Sequence, residues 1–133
     1  MGCEYPTRIC WLIIIKRKMN KKMPGAMNIN GFKNITVTEL QAMMEQGGLR
    51  LVDVRTDAEV VRGKIPQGDS LPLHLLPLRL SGMDKSSTTV FYCQMGGRSG
   101  QAAAFAAANG FTDVYNLQGG ITAWAQAGLP IES

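Results

Sequence analysis

The chain has a single histidine and three cysteines, and neither set is spaced to hold a metal. No CxxC pair occurs and no histidines cluster, so the zinc-site patterns are missing. Cys3, Cys10 and Cys93 do not make a disulfide framework. Long apolar runs are also missing. The stretch from Ile9 to Ile15 is apolar, but far shorter than the about 20 residues a bilayer span needs. It is no secretory signal either, because most of its basic neighbours follow the apolar run instead of preceding it. No internal repeat or low-complexity tract is visible.

Charge of one sign is missing from most of the chain. The net charge of +4 comes from the N-terminus, where Arg8, Lys16, Arg17, Lys18, Lys21 and Lys22 stand against Glu4 alone. Residues 31–133 hold 8 basic and 9 acidic groups. A near-neutral domain gives no argument for nucleic-acid binding. The sequence therefore divides into a basic extension, residues 1–30, and one domain, residues 31–133, long enough for a single compact core. The extension has four readings: a membrane-surface anchor making weak contact, a weakly structured tail, a partner-binding peptide, or an upstream start with Met19, Met23 or Met27 as the true one. The weakly structured tail is favoured. Met1-Gly2-Cys3 does not complete a myristoylation pattern, because Pro6 stands at the sixth position.

Within the domain, strand and helix patterns alternate. Thr36-Val37-Thr38-Glu39 is a capping box opening a helix with Leu40, Met43 and Met44 on one face, ended by Gly47-Gly48. A strand is expected over residues 49–54. Thr56 to Glu59 repeats the capping pattern and opens a short helix ending by Gly63. Ser70 to Leu73 is a short extended piece, limited by Pro72. A helix broken near Pro77 is expected over residues 75–80. A central strand follows at 88–92, a helix at 100–109, a last strand at 113–117 and a last helix at 121–127. This order predicts an α/β fold, a mostly parallel sheet with helices on both faces. The methionines, the alanine stripe from Ala102 to Ala108, Phe105 and Trp124 read as core. His74 reads as structural or surface.

The most informative segment is Tyr92-Cys93-Gln94-Met95-Gly96-Gly97-Arg98-Ser99-Gly100. It sets one thiol between the end of a strand and the start of a helix. Backbone N–H groups converge there and the helix dipole favours an anion, so the thiol tends toward the nucleophilic thiolate. Two glycines and a cation nearby favour this over a merely buried cysteine. Ligands in such folds bind outside the C-terminal ends of the strands, where Asp53 and Cys93 both fall. Asp53 braces the loop, pairs with Arg98, or only caps the following turn. Arg98 either binds a donor anion or is a clamp turned inward to Asp53 or Glu59, and the clamp is favoured.

The segment from about Ile35 to Ile131 resembles a single rhodanese domain. The loop from Cys93 to Arg98 is similar to that family's active-site loop. Leu51-Val52-Asp53-Val54-Arg55 with Glu59 resembles its first strand and D-x-R signature. Gly63-Lys64-Ile65-Pro66 resembles its G-H-I-P segment, with Lys64 in place of histidine. The C-terminal signature is matched by Val114 to Trp124, closing with Gly128-Leu129-Pro130. Gln67-Gly68-Asp69-Ser70 departs from the usual G-A-x-N, and Val60 stands where an aromatic is common. The resemblance implies two-step sulfur transfer with Cys93 as catalytic nucleophile. Gln94, Met95, Gly96, Gly97, Arg98 and Ser99 would bind substrate, supported by Asp53, Arg55 and Glu59. A small donor, thiosulfate or a persulfide, and a thiol acceptor are implied, a sulfur-carrier protein being one candidate for the latter. No metal or organic cofactor is required. A single functional thiol suits a reducing, cytoplasmic setting. Two rival readings exist. A cysteine phosphatase or arsenate reductase would have C-x5-R, whereas the spacing here is C-x4-R. A non-catalytic rhodanese-like binding module commonly lacks the cysteine.

Overall fold

The computed structural model describes residues 31–133, and the readings of residues 1–30 lie outside it. Five strands form one sheet: β1 (Lys33–Ile35), β2 (Leu49–Asp53), β3 (Asp69–Ser70), β4 (Thr88–Tyr92) and β5 (Val114–Leu117). Their order is β1-β5-β4-β2-β3, and all the pairings are parallel. The helices are α1 (Val37–Gln46), α2 (Asp57–Val60), α3 (Leu76–Arg79), α4 (Gly97–Ala108) and α5 (Gly120–Gln126).

The strand sequences explain the layering. A parallel strand covered on both faces reads as an unbroken apolar run, and Val90-Phe91-Tyr92 is one. Alternation along the strand then divides it between two cores. Val52, Val54, Phe91, Cys93 and Val114 join Ala102, Ala103 and Ala106 of α4 and Leu76 of α3. On the other face, Leu51, Val90, Tyr92 and Leu117 join Leu40 of α1 and Ile121 and Trp124 of α5. Small alanines let α4 lie close to the sheet. The α1 helix is held by its predicted capping box, with Glu39 N–H donating to Thr36 Oγ1 at 3.1 Å and Thr36 N–H to Glu39 Oε1 at 2.8 Å. Its Leu40 is fully buried, which contributes about 2 kcal/mol.

One strand was not foreseen and three expectations are corrected. The strand at Leu49–Asp53 is preceded by β1, which pairs with β5 and so forms the far edge of the sheet. The helix expected from Gly100 begins at Gly97, so Arg98 and Ser99 belong to its first turn. The segment expected as one broken helix is a 3-10 turn (Leu73–Leu75), α3 and a second 3-10 turn (Leu80–Gly82), with Pro77 in the first turn of α3, where its missing N–H costs nothing. Phe105, expected in the core, lies 39% exposed on the outer side of α4, while Trp124 is buried and its Nε1 donates to the Pro130 carbonyl at 2.7 Å. His74 is exposed, in keeping with a surface position.

The topology positions the site. From β2 the chain moves outward to β3, then returns to lay β4 on the opposite side of β2. Adjacent strands whose connections diverge leave a crevice at their C-terminal ends. Asp53 ends β2, its register partner Tyr92 ends β4, and Cys93 follows at once.

Candidate active site

Cys93 is 1% exposed and points to the α4 face, as Phe91 does two residues earlier. The chain then reverses within three residues. Gly96, with φ 116°, caps α4, a conformation that a side chain would strain. The reversal turns N–H groups back onto the sulfur. Gly96 N–H donates to Cys93 Sγ at 3.1 Å and Ser99 N–H at 3.3 Å, and Ser99 Oγ lies 3.3 Å away. Burial pushes the thiol pKa up. The Ser99 hydroxyl and the N–H groups of Ser99, Gly96 and Met95 outweigh it and bring the pKa below the ordinary thiol value.

A second helix holds the other side of the loop. The N–H of Ile121 donates to the Cys93 carbonyl at 2.9 Å, and that of Thr122 to the Gln94 carbonyl at 3.1 Å. With the carbonyls drawn toward α5, the Met95 and Gly96 N–H groups are left on the side of the sulfur. Gly120, with φ 59°, permits this approach, since a Cβ there would collide with both carbonyls. The sequence signal for this contact is the pair Gly119-Gly120 directly before the helix, inside the Val114 to Trp124 signature.

The charged residues form two pairs. Arg55 and Asp53 are 3% and 0% exposed and meet through Nη2–Oδ2 at 2.8 Å and Nε–Oδ1 at 3.0 Å. Asp53 also accepts the Arg55 N–H at 3.0 Å, so it caps its own turn, and its ion-pair partner is Arg55, not Arg98. The Arg55 guanidinium goes on to the Gly63 carbonyl at 2.8 Å and lies 5.8 Å from the centre of the Tyr92 ring. Glu59 takes Arg98 in a two-pronged pair at 2.8 and 2.9 Å. Arg98 thus makes the Glu59 pairing that one of its open readings calls for. The same carboxylate caps α2, accepting the Thr56 N–H at 3.1 Å. Arg98 first, then its Thr56 contacts, hold the Glu59 pKa down at about 2 against a desolvation effect that raises it.

The remaining predicted loop residues, Gln94, Met95 and Gly97, are exposed. Gln94 bridges the two sides, accepting from Arg55 Nη1 at a long 3.4 Å and donating to Thr122 Oγ1 at 3.0 Å. Met95 is 63% exposed, and Gly97 is exposed. Lys64, in place of the family's histidine, donates to the Gly68 carbonyl at 3.2 Å and pairs with Glu132 at 3.1 Å, away from the sulfur's own contacts. Beside the loop opens a cleft of ≈ 730 Å³, whose walls include Arg55, Glu59, Arg62, Gln94, Ile121 and Thr122. Asn116, not singled out from sequence, reaches Ser99 from β5.

A parallel α/β domain with a cysteine cradled at a helix N-terminus defines a class of thiol-dependent group-transfer proteins. Comparisons narrow this. The rhodanese-like domain family matches residues 36–127. A sulfurtransferase of Allochromatium vinosum is 46% identical over 91 residues, covering 68% of this chain and 85% of that protein. The thiosulfate sulfurtransferase GlpE of Pseudomonas fluorescens is 38% identical over 93 residues, covering 70% and 84%. The crystal structure of a rhodanese-like domain protein from Staphylococcus aureus superposes with a TM-score of 0.67 at 36% identity, covering 77% of this chain and all of that one. The chain belongs to the rhodanese-like family and is a rhodanese-type sulfurtransferase.

Proposed function

We propose that this enzyme carries a sulfane sulfur on Cys93, taking it from thiosulfate or a persulfide and passing it to a thiol, or to cyanide in an assay. The observation that carries this reading is the ring of donors from Gly96 and Ser99 around Cys93 Sγ. The Cys93 thiolate attacks the outer sulfur of the donor. A new S–S bond forms as the donor's S–S bond breaks, and with thiosulfate the leaving sulfite takes the electron pair. Charge then resides on the outer sulfur of Cys93–S–S⁻, where the loop N–H groups can follow it, much as an oxyanion hole meets developing charge. The acceptor attacks that outer sulfur and returns Cys93 as thiolate. This is covalent catalysis with ping-pong kinetics.

Each group has a role within this scheme. Gln94, Met95, Gly96 and Gly97 form the cradle, and Ser99 adds a hydroxyl. Arg98 holds the first turn of α4 in place through Glu59 and is not spent on the donor. Asp53 and Arg55 hold the floor beneath Gln94. The neighbouring cleft, walled in part by Gln94, offers the acceptor an approach, and Met95, exposed on the loop, offers a contact for a protein acceptor. A reducing, cytoplasmic setting keeps the nucleophile free of disulfides.

Cys93→Ser preserves size and removes the nucleophile. It should abolish sulfur transfer from thiosulfate to cyanide while the domain stays folded. Cys3→Ser with Cys10→Ser should leave activity nearly unchanged. A folded Cys93→Ser enzyme that still turns over contradicts the assignment.

A further inference from the structure

Ser99 and Asn116 present a hydrogen-bonding conflict. Ser99 is fully buried and Asn116 is 6% exposed. The Ser99 hydroxyl has one proton and faces two acceptors, Cys93 Sγ at 3.3 Å and Asn116 Oδ1 at 2.5 Å. Asn116 cannot resolve this by turning its amide over. Its Nδ2 already donates to Asn34 Oδ1 at 2.9 Å and to the Gly96 carbonyl at 3.3 Å, and a flip would set its oxygen against that carbonyl. Asn116 reaches this place because it stands two residues after Val114, on the α4 face of β5.

We propose that Asn116 is a positioning residue for the sulfur-transfer reaction, holding the Ser99 proton while Cys93 carries the sulfur and yielding it when negative charge returns to Cys93 Sγ. This rests on the persulfide reading above for the loaded state only. In the resting thiolate, Sγ carries the charge and competes for the Ser99 hydroxyl. Once the new S–S bond forms, Sγ becomes a neutral bridging atom and a poor acceptor, and the hydroxyl turns fully to Asn116 Oδ1. No proton leaves Ser99, no group is oxidised or reduced overall, and only the O–H bond rotates. The Gly96 carbonyl that Asn116 holds also accepts the Gly100 N–H at 3.1 Å in the first turn of α4, so the amide is fixed to the cap it serves. The charged groups near Cys93 are Arg98 of α4, paired with Glu59 of α2, and the Asp53–Arg55 pair at the end of β2. None of them contacts the Ser99 hydroxyl.

The test is the pH profile of Cys93 alkylation by iodoacetamide in wild type, Asn116→Ala, Ser99→Ala and the double variant. Removing the rival acceptor frees the hydroxyl for the thiolate, so Asn116→Ala should lower the midpoint by about half to one pH unit, the worth of one hydrogen bond. Ser99→Ala should raise it. With Ser99 already alanine, Asn116→Ala should have no further effect. A purely structural Asn116 would give the opposite sign, since a loosened loop supplies fewer ordered N–H groups to the sulfur. Asn116→Leu, of similar size and without an acceptor, replaces the alanine variant should that fail to fold. A raised or unchanged midpoint in Asn116→Ala, or an equal shift with and without Ser99, overturns the proposal. A second readout concerns the loaded state. At a fixed thiosulfate-to-sulfite ratio, the sulfur-bearing fraction of Asn116→Ala should correspond to an equilibrium constant about threefold to tenfold lower than in wild type. Loss of loading in the wild-type enzyme would refute the persulfide reading and leave the alkylation test standing.

Discussion

Replacing Asp53 with alanine leaves a guanidinium buried beneath the active loop with its counter-charge gone. Arg55 is 3% exposed and cannot lose its proton at any pH the fold survives. It would keep the Gly63 carbonyl at 2.8 Å, the long 3.4 Å contact to Gln94 and the Tyr92 ring. It would lose Nε–Oδ1 at 3.0 Å, Nε–Oδ2 at 3.2 Å and Nη2–Oδ2 at 2.8 Å. Breaking a buried pair on one side costs about 3–5 kcal/mol. A domain of this size has a urea dependence of about 1.5 kcal/mol per molar, so the unfolding midpoint should fall by about 2–3 M. Urea titration followed by tryptophan fluorescence reads this, since Trp124 is buried. Asp53→Leu with Arg55→Met removes both charges together and should recover most of the loss, because a buried ion pair and an apolar pair of similar volume are often near equal in stability. A midpoint shift below about 0.5 M for Asp53→Ala, or a double variant as unstable as the single, refutes the reasoning.

Two further predictions concern pH. Alkylation of Cys93 should proceed at pH values below the ordinary thiol range of about 8.5, and a rate that rises only through that range would show that the loop does not stabilise the resting thiolate. Glu59→Gln should cost about 0.5–1 kcal/mol at neutral pH, a small effect because the Arg98–Glu59 pair is partly solvated. The Glu59 pKa is lowered on folding, so its contribution is complete above the unfolded value near 4.5 and is lost as pH falls toward about 2. Urea midpoints for the two proteins should therefore converge over that window, and a gap that stays constant contradicts the ion-pair account.

The parts of this site legible in the sequence are those written in adjacent residues. A β-rich run into Cys93, two glycines, an arginine and an alanine-rich helix give the strand–loop–helix without any knowledge of distant contacts. Thr36–Glu39 and Thr56–Glu59 announce two helix starts by the same local logic, and the structure has both. What stayed hidden depends on residues far apart in the chain. The β1 strand is only Lys33–Ile35 and exists by pairing with β5, a partner no local pattern reveals. The choice of Arg98 between Asp53 and Glu59 turns on where α2 lies against α4, and the sequence left it open. Asn116 sits in an ordinary strand and acquires its role only when the sheet carries it beneath Ser99. Phe105 follows the apolar periodicity of its helix, yet lies on the side the sheet does not cover.

The central claim is that Cys93 carries the transferred sulfur. Intact-protein mass spectrometry after incubation with thiosulfate and rapid desalting tests it most directly. The account predicts a gain of one sulfur atom per chain, mapped to the peptide containing Cys93, removed by cyanide and absent from Cys93→Ser. An enzyme that turns over thiosulfate and cyanide while never gaining that sulfur on Cys93 would contradict it.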